Sequence, residues 1–276
     1  MTTIHVAHSP DSDDAFMFYA LASGKIDTEG LTYVHELQDI ETLNQRAMRG
    51  ELEVTAVSIH AYAYLSDRYA LLPHGASMGD RYGPRLVSRT PMSRADVRGK
   101  RIAIPGRLTS AYLALQLFEP EFEAVVIPFD QIEDAVVDGQ ADVGLLIHEG
   151  QLTYPEKGLH LIADLGEWWF GETGLPLPLG GNVVRKDLGD DMTRKISRHL
   201  HGSIAYGLEH RKAALDHSMQ YARGLERSKA DAFVGMYVND WTLDYGDRGR
   251  QAVRLFLERG VEAGLITKSV TVEFVD

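Results

Sequence analysis

Two polar segments lie where predicted strands give way to helices, and their residue types suit the binding of a small anion. The first is His8-Ser9-Pro10-Asp11-Ser12-Asp13-Asp14, and the second opens with Thr109-Ser110. Hydroxyl groups and the unpaired N–H groups of a helix start bind carboxylates or phosphates. The acidic side chains of the first segment argue against phosphate there. Ser9, Asp13, Thr109 and Ser110 are therefore predicted to bind a carboxylate-bearing substrate, although plain helix capping explains the same pattern.

A histidine is the residue best suited to proton transfer. His148 directly follows the predicted strand Val143–Ile147, so its imidazole should emerge at the carboxyl end of that strand, where α/β proteins build their sites. An unperturbed imidazole titrates near neutrality, which makes His148 a candidate general base. Glu149 is placed to orient the ring. The alternatives are a structural histidine and a solvated carboxylate.

Other kinds of chemistry have weak support in the sequence. The chain has no cysteine, which excludes disulfides, thiol catalysis and thiolate metal sites. His8, His60 and His74 lack the short spacings of histidine metal ligands. The phosphate-binding, dinucleotide-binding and nucleophile-elbow motifs are also missing. No metal and no cofactor are therefore expected.

The order of the predicted elements supplies a scaffold for these residues. Strand and helix alternate from the amino terminus, and the pattern restarts at Lys100 with the strand Arg101–Ile104. Such alternation favours parallel sheets, whose ligands lie beyond the carboxyl ends of the strands. We expect an α/β protein with two lobes, each a mixed sheet flanked by helices, and a ligand cleft between them. The predicted lobes are 1–89 plus 183–276 and 90–182, with crossings near 88–93 and 176–184.

Charge and composition exclude several classes of partner. The chain carries 28 basic and 40 acidic residues, a net charge of −12, and its basic residues are scattered. A nucleic acid or a membrane surface is therefore not an expected partner. The first residues do not have the pattern of a secretory signal, and the sequence has no run of about 18 apolar residues that could span a bilayer. We expect a cytoplasmic protein that binds a small molecule, either as a monomer or as a dimer.

Four motifs together resemble the 1,4-dihydroxy-6-naphthoate synthase family, nearly from end to end of the chain. They are Ser9–Phe16, Pro105-Gly106-Arg107 with Thr109–Tyr112, Ile147-His148-Glu149 with Thr153-Tyr154-Pro155, and Gly174–Gly180. The resemblance implies a type II periplasmic-binding-protein-like fold. It also implies a carbon–carbon lyase of the futalosine route to menaquinone, which converts cyclic dehypoxanthinyl futalosine to 1,4-dihydroxy-6-naphthoate and dihydroxyacetone.

The resemblance also implies roles for individual residues. His148 takes the place of the family's proton acceptor, Thr109 and Ser110 that of its substrate-binding hydroxyl pair, and Ala56-Val57-Ser58 that of a substrate-binding segment at the third strand. The chain departs from the family where Ser-Pro-Asp-Ser-Asp-Asp-Ala-Phe replaces Ser-Pro-Cys-Pro-Asn-Asp-Thr-Phe. It departs again where Ala56-Val57 stands in a segment that can carry a lysine.

Three other functions remain open at this point, because a fold does not determine a function. The chain could be a solute-binding receptor for a transporter or a cytoplasmic binding protein or sensor for a small carboxylate. It could also be a chorismate dehydratase of the same pathway. The missing secretory signal speaks against a receptor, and the Ile-His-Glu and Leu-Pro-Leu-Pro-Leu-Gly motifs speak against the dehydratase.

Overall fold

The computed structural model describes residues 2–222 and 224–275, and it has a mixed α/β architecture. The strands are β1 (Thr2–His8), β2 (Leu31–Leu37), β3 (Val54–Ser58), β4 (Tyr69–Leu71), β5 (Ser77–Gly79), β6 (Arg85–Ser88), β7 (Arg101–Ile104), β8 (Glu123–Val126), β9 (Val143–Leu146), β10 (His160–Asp164) and β11 (Leu177–Arg185).

Helices flank these strands along the whole chain. They are α1 (Ser12–Met17), α2 (Tyr19–Ala22), α3 (Ile40–Arg49), α4 (Ile59–Leu65), α5 (Ser110–Phe118), α6 (Ile132–Val137), α7 (Gly150–Thr153), α8 (Leu165–Thr173), α9 (Asp190–Glu209), α10 (Arg211–Ser218), α11 (Arg227–Tyr237), α12 (Asp240–Leu243) and α13 (Gly246–Glu262). Within the described residues, five short 3₁₀ turns lie at Arg94–Val97, Phe129–Gln131, Tyr154–Lys157, Lys186–Leu188 and Met219–Tyr221.

The strands form two mixed sheets. The first sheet has the order β2-β1-β3-β11-β4, with β5 also paired to β11, and the second has the order β10-β6-β9-β7-β8. In the first sheet β1 runs parallel to β2 and β3, while β11 runs antiparallel to its three neighbours. In the second, β7 is parallel to β8 and β9, and β6 is antiparallel to β9 and β10. The predicted α/β class with mixed sheets is confirmed.

Strands β6 and β11 lie at or beside the two predicted crossings. A boundary at 89/90 assigns β6 to the first lobe, whereas β6 pairs with β9 and β10 in the second sheet. The second predicted crossing, 176–184, overlaps strand β11 (Leu177–Arg185) of the first sheet. The division of the chain into two lobes at those residue numbers stays a prediction.

The Pro/Gly-rich stretch around Pro178 and Gly181 lies in strand β11. The neighbouring elements accommodate the proline and leave no room for a side chain at the glycine. Pro178 lies beside a shift in register between β11 and β5, the kind of irregularity at which proline is found in sheets. At Gly181 a Cβ atom would lie 2.3 Å from the hydroxyl oxygen of Tyr245. Glycine is therefore needed there for close packing.

The first helical segment is shorter than its apolar sequence predicts. The sequence indicates one helix over Ala15–Leu21, but α1 ends at Met17 and α2 begins at Tyr19. Ser203 from α9 lies at the break: its hydroxyl donates to Met17 O (2.7 Å) and accepts from Leu21 N (3.3 Å). A side chain thus replaces the helical hydrogen bonds at this point.

One apolar core serves both sheets. Its largest cluster contains Val57 and Leu71 from the first sheet together with Ile102 and Leu145 from the second. The C-terminal helix α13 packs against β11 and α4, and also against α5 beside the second sheet. The sheets are therefore joined by buried apolar contacts on one side, and the cleft lies elsewhere between them.

Three buried histidines, His8, His60 and His74, and the half-buried His35 are held in the neutral form. Burial lowers the pKa of His8 and His74 to about 3, and that of His35 and His60 to about 4. A histidine whose pKa is lower in the folded state binds fewer protons there than in the unfolded chain. The free energy of unfolding should therefore fall as the pH drops from about 6.5 toward the folded pKa.

His74 allows a clean test, because it lies in the interior and its Nε2 is 3.0 Å from Ser197 Oγ. We expect His74→Gln to lose less stability on acidification than the wild type, by about 2 kcal/mol between about pH 7 and pH 5. Urea unfolding at several pH values measures this difference. His160→Gln, at an exposed position, is the matched control. Parallel curves for His74→Gln and the wild type would contradict the prediction.

No helix in the described ranges is long and apolar enough to cross a membrane.

Candidate active site

A cleft between the two sheets contains all the residues that the sequence analysis assigned to the site. It has about 730 Å³ of empty space, its open mouth included, which suits a small molecule. The predicted residues that line it are Ser9, Asp13, Ala56, Val57, Ser58, Thr109, Ser110 and His148. The structure thus brings together four segments that are far apart in the sequence.

Strand direction explains why these segments meet. Ser9 and Asp13 follow β1, and Ser58 ends β3, which is parallel to β1 in the first sheet. Thr109 and His148 follow β7 and β9, which are parallel in the second sheet. The carboxyl ends of parallel strands share one edge of a sheet. Two such edges therefore face each other across the cleft.

The imidazole of His148 is held by a carboxylate and an aromatic ring. Its Nδ1 lies 3.0 Å from Asp11 Oδ2, and its ring centroid lies 4.5 Å from that of Phe129. The side chain is 16% exposed, whereas that of Asp11 is 1% exposed. Glu149 is predicted to orient the ring, but the carboxylate found beside Nδ1 is that of Asp11.

The second ring nitrogen of His148 is unoccupied. Nε2 is buried and has no hydrogen-bond partner among residues 2–222 and 224–275. The residue lines the cleft. A neutral imidazole that donates through Nδ1 to Asp11 has its lone pair on Nε2, which is the atom that accepts a proton in general-base catalysis.

The backbone of His148 adopts a conformation that is unusual for a residue other than glycine. Its φ is +55°, in the left-handed region. Gln151 holds this turn: its N–H donates to His148 O (3.2 Å), and its side-chain oxygen accepts from His148 N (3.3 Å) in the amide orientation that satisfies both ends. Strained residues of this kind are concentrated at functional sites.

Two buried carboxyl groups beside the cleft have raised pKa values. Burial raises the pKa of Asp13 well above its usual value, and the neighbouring carboxylates of Asp14, Asp11 and Glu149 raise it further. Burial also raises the pKa of Asp14 to about 6, although Ser9 N donates to Asp14 Oδ2 at 2.7 Å and opposes this shift. A protonated Asp13 reduces the negative charge of a cleft that is expected to receive an anion.

The helix start at α5 offers N–H donors rather than free hydroxyls. Thr109 caps the helix, because its hydroxyl accepts from Tyr112 N (3.2 Å) and donates to Gly106 O (2.8 Å). The Ser110 hydroxyl donates to Leu179 O (2.5 Å) and accepts from His60 N (3.1 Å). The first N–H groups of an α-helix have no acceptor within the helix. Those of Ser110 and Ala111 are therefore available to a bound carboxylate.

The segment Ala56-Val57-Ser58 forms the opposite wall. Asn44 from α3 holds its end, since Asn44 Oδ1 accepts from Ser58 N (2.9 Å) and Asn44 Nδ2 donates to Ser58 Oγ (3.1 Å). The two residues before Ser58 have small apolar side chains and are buried. This wall therefore offers shape and apolar contact more than charge.

Several cleft residues were not predicted. They are Asp14, Ser77, Gln151, Asn182, Phe233 and Tyr237, with Asp11 behind His148. Asp11 and Asp14 belong to the first polar segment, but the sequence pattern did not single them out as site residues. Phe233 and Tyr237 lie on α11, and their spacing is that of ordinary apolar positions of a helix. No local signal distinguishes them.

A metal ion is not suggested by the side chains that the structure places. Within the two described ranges, histidine, aspartate and glutamate side chains form no group of three or more arranged to hold a metal.

Comparison with known proteins places the chain among enzymes of one pathway. The family model for menaquinone biosynthesis matches residues 4–262. A 1,4-dihydroxy-6-naphtoate synthase from Thermus thermophilus is 40% identical over 267 residues, covering 95% of this chain and 97% of the relative. One from Streptomyces coelicolor is 37% identical, covering 96% and 95%.

Solved structures agree on the fold. A protein from Archaeoglobus fulgidus superposes with a TM-score of 0.92 at 48% identity, covering 95% of this chain and 98% of its own. The alkanesulfonate-binding protein from Xanthomonas axonopodis pv. citri, solved with MOPS bound, has a TM-score of 0.73 at 11% identity, covering 99% and 96%. The second likeness shows the fold alone, and it confirms the predicted periplasmic-binding-protein-like architecture.

Proposed function

Because the chain belongs to the 1,4-dihydroxy-6-naphthoate synthase family of menaquinone biosynthesis, and is therefore a lyase, we propose that it converts cyclic dehypoxanthinyl futalosine to 1,4-dihydroxy-6-naphthoate and dihydroxyacetone. His148 is the general base of this proposal. The residues that bind the substrate are Ser9, Asp13, Ala56, Val57, Ser58, Thr109 and Ser110.

The observation that carries the proposal is the state of the His148 imidazole. Its Nδ1 is engaged by the Asp11 carboxylate at 3.0 Å, and its Nε2 has no partner in the described part of the chain. A lyase that begins with proton removal needs a positioned base with a free lone pair.

Two regions of the cleft suit the aromatic carboxylate and the sugar-derived ring of the substrate. The N–H groups at the start of α5 would bind the aromatic carboxylate, where the helix dipole favours negative charge. Asp13, with its raised pKa, has an Oδ1 atom that is buried and unpartnered among the residues described. A protonated carboxyl of this kind can donate to an oxygen of the sugar-derived ring, beside His148.

In the proposed reaction, His148 Nε2 removes a proton from the bound ring, and the electron pair left behind starts cleavage of a carbon–carbon bond. The departing three-carbon unit takes up a proton and leaves as dihydroxyacetone. The remaining ring becomes aromatic, which supplies the driving force. The net change is a lysis without oxidation or reduction, so the proposal includes no redox cofactor. A closed cleft keeps water from the intermediate.

The direct test is incubation of the purified protein with cyclic dehypoxanthinyl futalosine, followed by detection of the naphthoate chromophore and of dihydroxyacetone. We expect both products in equal amounts. A substrate that is bound but recovered unchanged would indicate a small-carboxylate binding protein instead. Parallel incubation with chorismate tests the sister activity, and turnover of chorismate alone would overturn the assignment. The cytoplasmic location expected from the sequence stays a prediction.

A further inference from the structure

We propose that Asp11 is the positioning residue for His148, and that this pair is assembled across the cleft from the two sheets. The inference rests on the proposed function, because it assigns a role to the group behind the proposed base. The site geometry suggests this role. Asp11 does not line the cleft, but its carboxylate lies beside His148, which does.

The contacts of Asp11 determine the form of the imidazole. Asp11 Oδ2 accepts a short hydrogen bond from the Ser9 hydroxyl, and the same atom lies 3.0 Å from His148 Nδ1. An ionised carboxylate can only accept hydrogen bonds. A carboxylate at this distance from Nδ1 therefore favours the imidazole form that has its proton on Nδ1 and its lone pair on Nε2.

Burial of Asp11 makes its carboxylate the acceptor for His148 Nδ1 in place of water. Asp11 is 1% exposed, so water cannot substitute for it as an acceptor. Loss of the carboxylate would remove the acceptor that lies beside Nδ1. The imidazole would then place its proton on Nε2, which is the preferred form of a free imidazole, and the base would lose its lone pair at the reacting atom.

The pair also joins the two sides of the cleft. Asp11 follows β1 of the first sheet, whereas His148 follows β9 of the second. Two further contacts span the same gap: the Tyr237 hydroxyl lies 2.8 Å from the Gln151 side chain, and Leu108 N donates to Glu41 Oε2 (3.2 Å). A cleft that opens would separate Asp11 from His148. The base would thus be correctly protonated only when the cleft is closed.

The first test reads the imidazole directly and needs no turnover. Long-range proton–nitrogen correlation spectra of protein labelled with nitrogen-15 histidine report which nitrogen carries the proton, under mildly alkaline conditions. The signals of His148 are those missing in His148→Ala. We expect the Nδ1–H form in the wild type and a shift toward the Nε2–H form in Asp11→Ala and in the isosteric Asp11→Asn.

A matched control lies next to Asp11 in the sequence. Ser12 has a buried hydroxyl with no partner in the described residues, and it does not line the cleft. Ser12→Ala should keep the wild-type form of His148. An Nε2–H form in the wild type, or an unchanged Nδ1–H form in both Asp11 variants, would overturn the inference.

Kinetics then separate this inference from the proposed function. We expect Asp11→Asn to lower kcat at least about 10-fold with KM changed less than about 3-fold, because orientation of the base acts in the transition state. An unchanged kcat in Asp11→Asn, with His148→Ala inactive, would reject the role of Asp11 alone. If the wild type forms no naphthoate, the proposed function fails, while the spectra still decide whether Asp11 sets the form of His148.

Discussion

Replacement of His148 by alanine is expected to lower turnover of cyclic dehypoxanthinyl futalosine at least about 100-fold, the scale of a lost general base. Nε2 of His148 is the unoccupied imidazole nitrogen at the cleft, and alanine offers no group that can take its place. Binding should persist, because the N–H groups at α5 and the wall at β3 are unchanged. Naphthoate formation and the affinity for product measure the two effects separately.

The backbone conformation of His148 makes a second variant necessary. His148 has a φ of +55°, which costs alanine more than it costs asparagine. His148→Asn should therefore fold at least as well as His148→Ala and be equally inactive. His160→Ala removes an exposed histidine of the second sheet and should behave as the wild type. Near-normal turnover in either His148 variant would exclude this residue as the base.

The second large effect is expected at the start of α5. Ala111 lines the cleft at the first turn of the helix. In Ala111→Asp a carboxylate would occupy the place where the substrate carboxylate should bind, and it would repel that group. We expect kcat/KM to fall at least about 30-fold, which corresponds to about 2 kcal/mol of lost hydrogen bonding to a charged group. Steady-state kinetics and direct binding of the product measure the loss.

Ala111 is buried in the apolar core, so thermal unfolding of the variant must first show that it folds, although an acidic residue is favourable in the first turn of a helix. Ala111→Asn, which has the shape of aspartate without its charge, is the matched control. It should lose much less affinity than Ala111→Asp, and the difference between the two isolates the charge. Equal losses in both variants would mean that the effect is steric, and no loss in either would place the carboxylate elsewhere.

The fold of this protein does not by itself distinguish catalysis from binding. The alkanesulfonate-binding protein shares the architecture at 11% identity. What sets this chain apart as a catalyst in our proposal is a histidine with one nitrogen held by a buried carboxylate and the other left free. The predictions for His148 and Asp11 therefore test function, whereas those for Ala111 test the orientation of the ligand.

The sequence by itself determined the class of fold and the polar segments that line the cleft. Alternation of strands and helices is a local property, and the residues after β1, β7 and β9 stand out because polar groups follow apolar strands there. The start of α3, where Asp39 Oδ1 accepts from Thr42 N, is likewise fixed by neighbours in the sequence. These features depend on neighbours in the sequence, so they can be read without a structure.

Only the tertiary structure decided which residues face one another. Asp11, rather than the adjacent Glu149, meets His148, because β1 and β9 end on opposite sides of one cleft. The stretch around Pro178 became a strand, because β3, β4 and β5 supply its pairing partners. Phe233 and Tyr237 entered the site through the packing of α11. Such contacts join distant segments, and their physical cause is packing and strand pairing that no local pattern encodes.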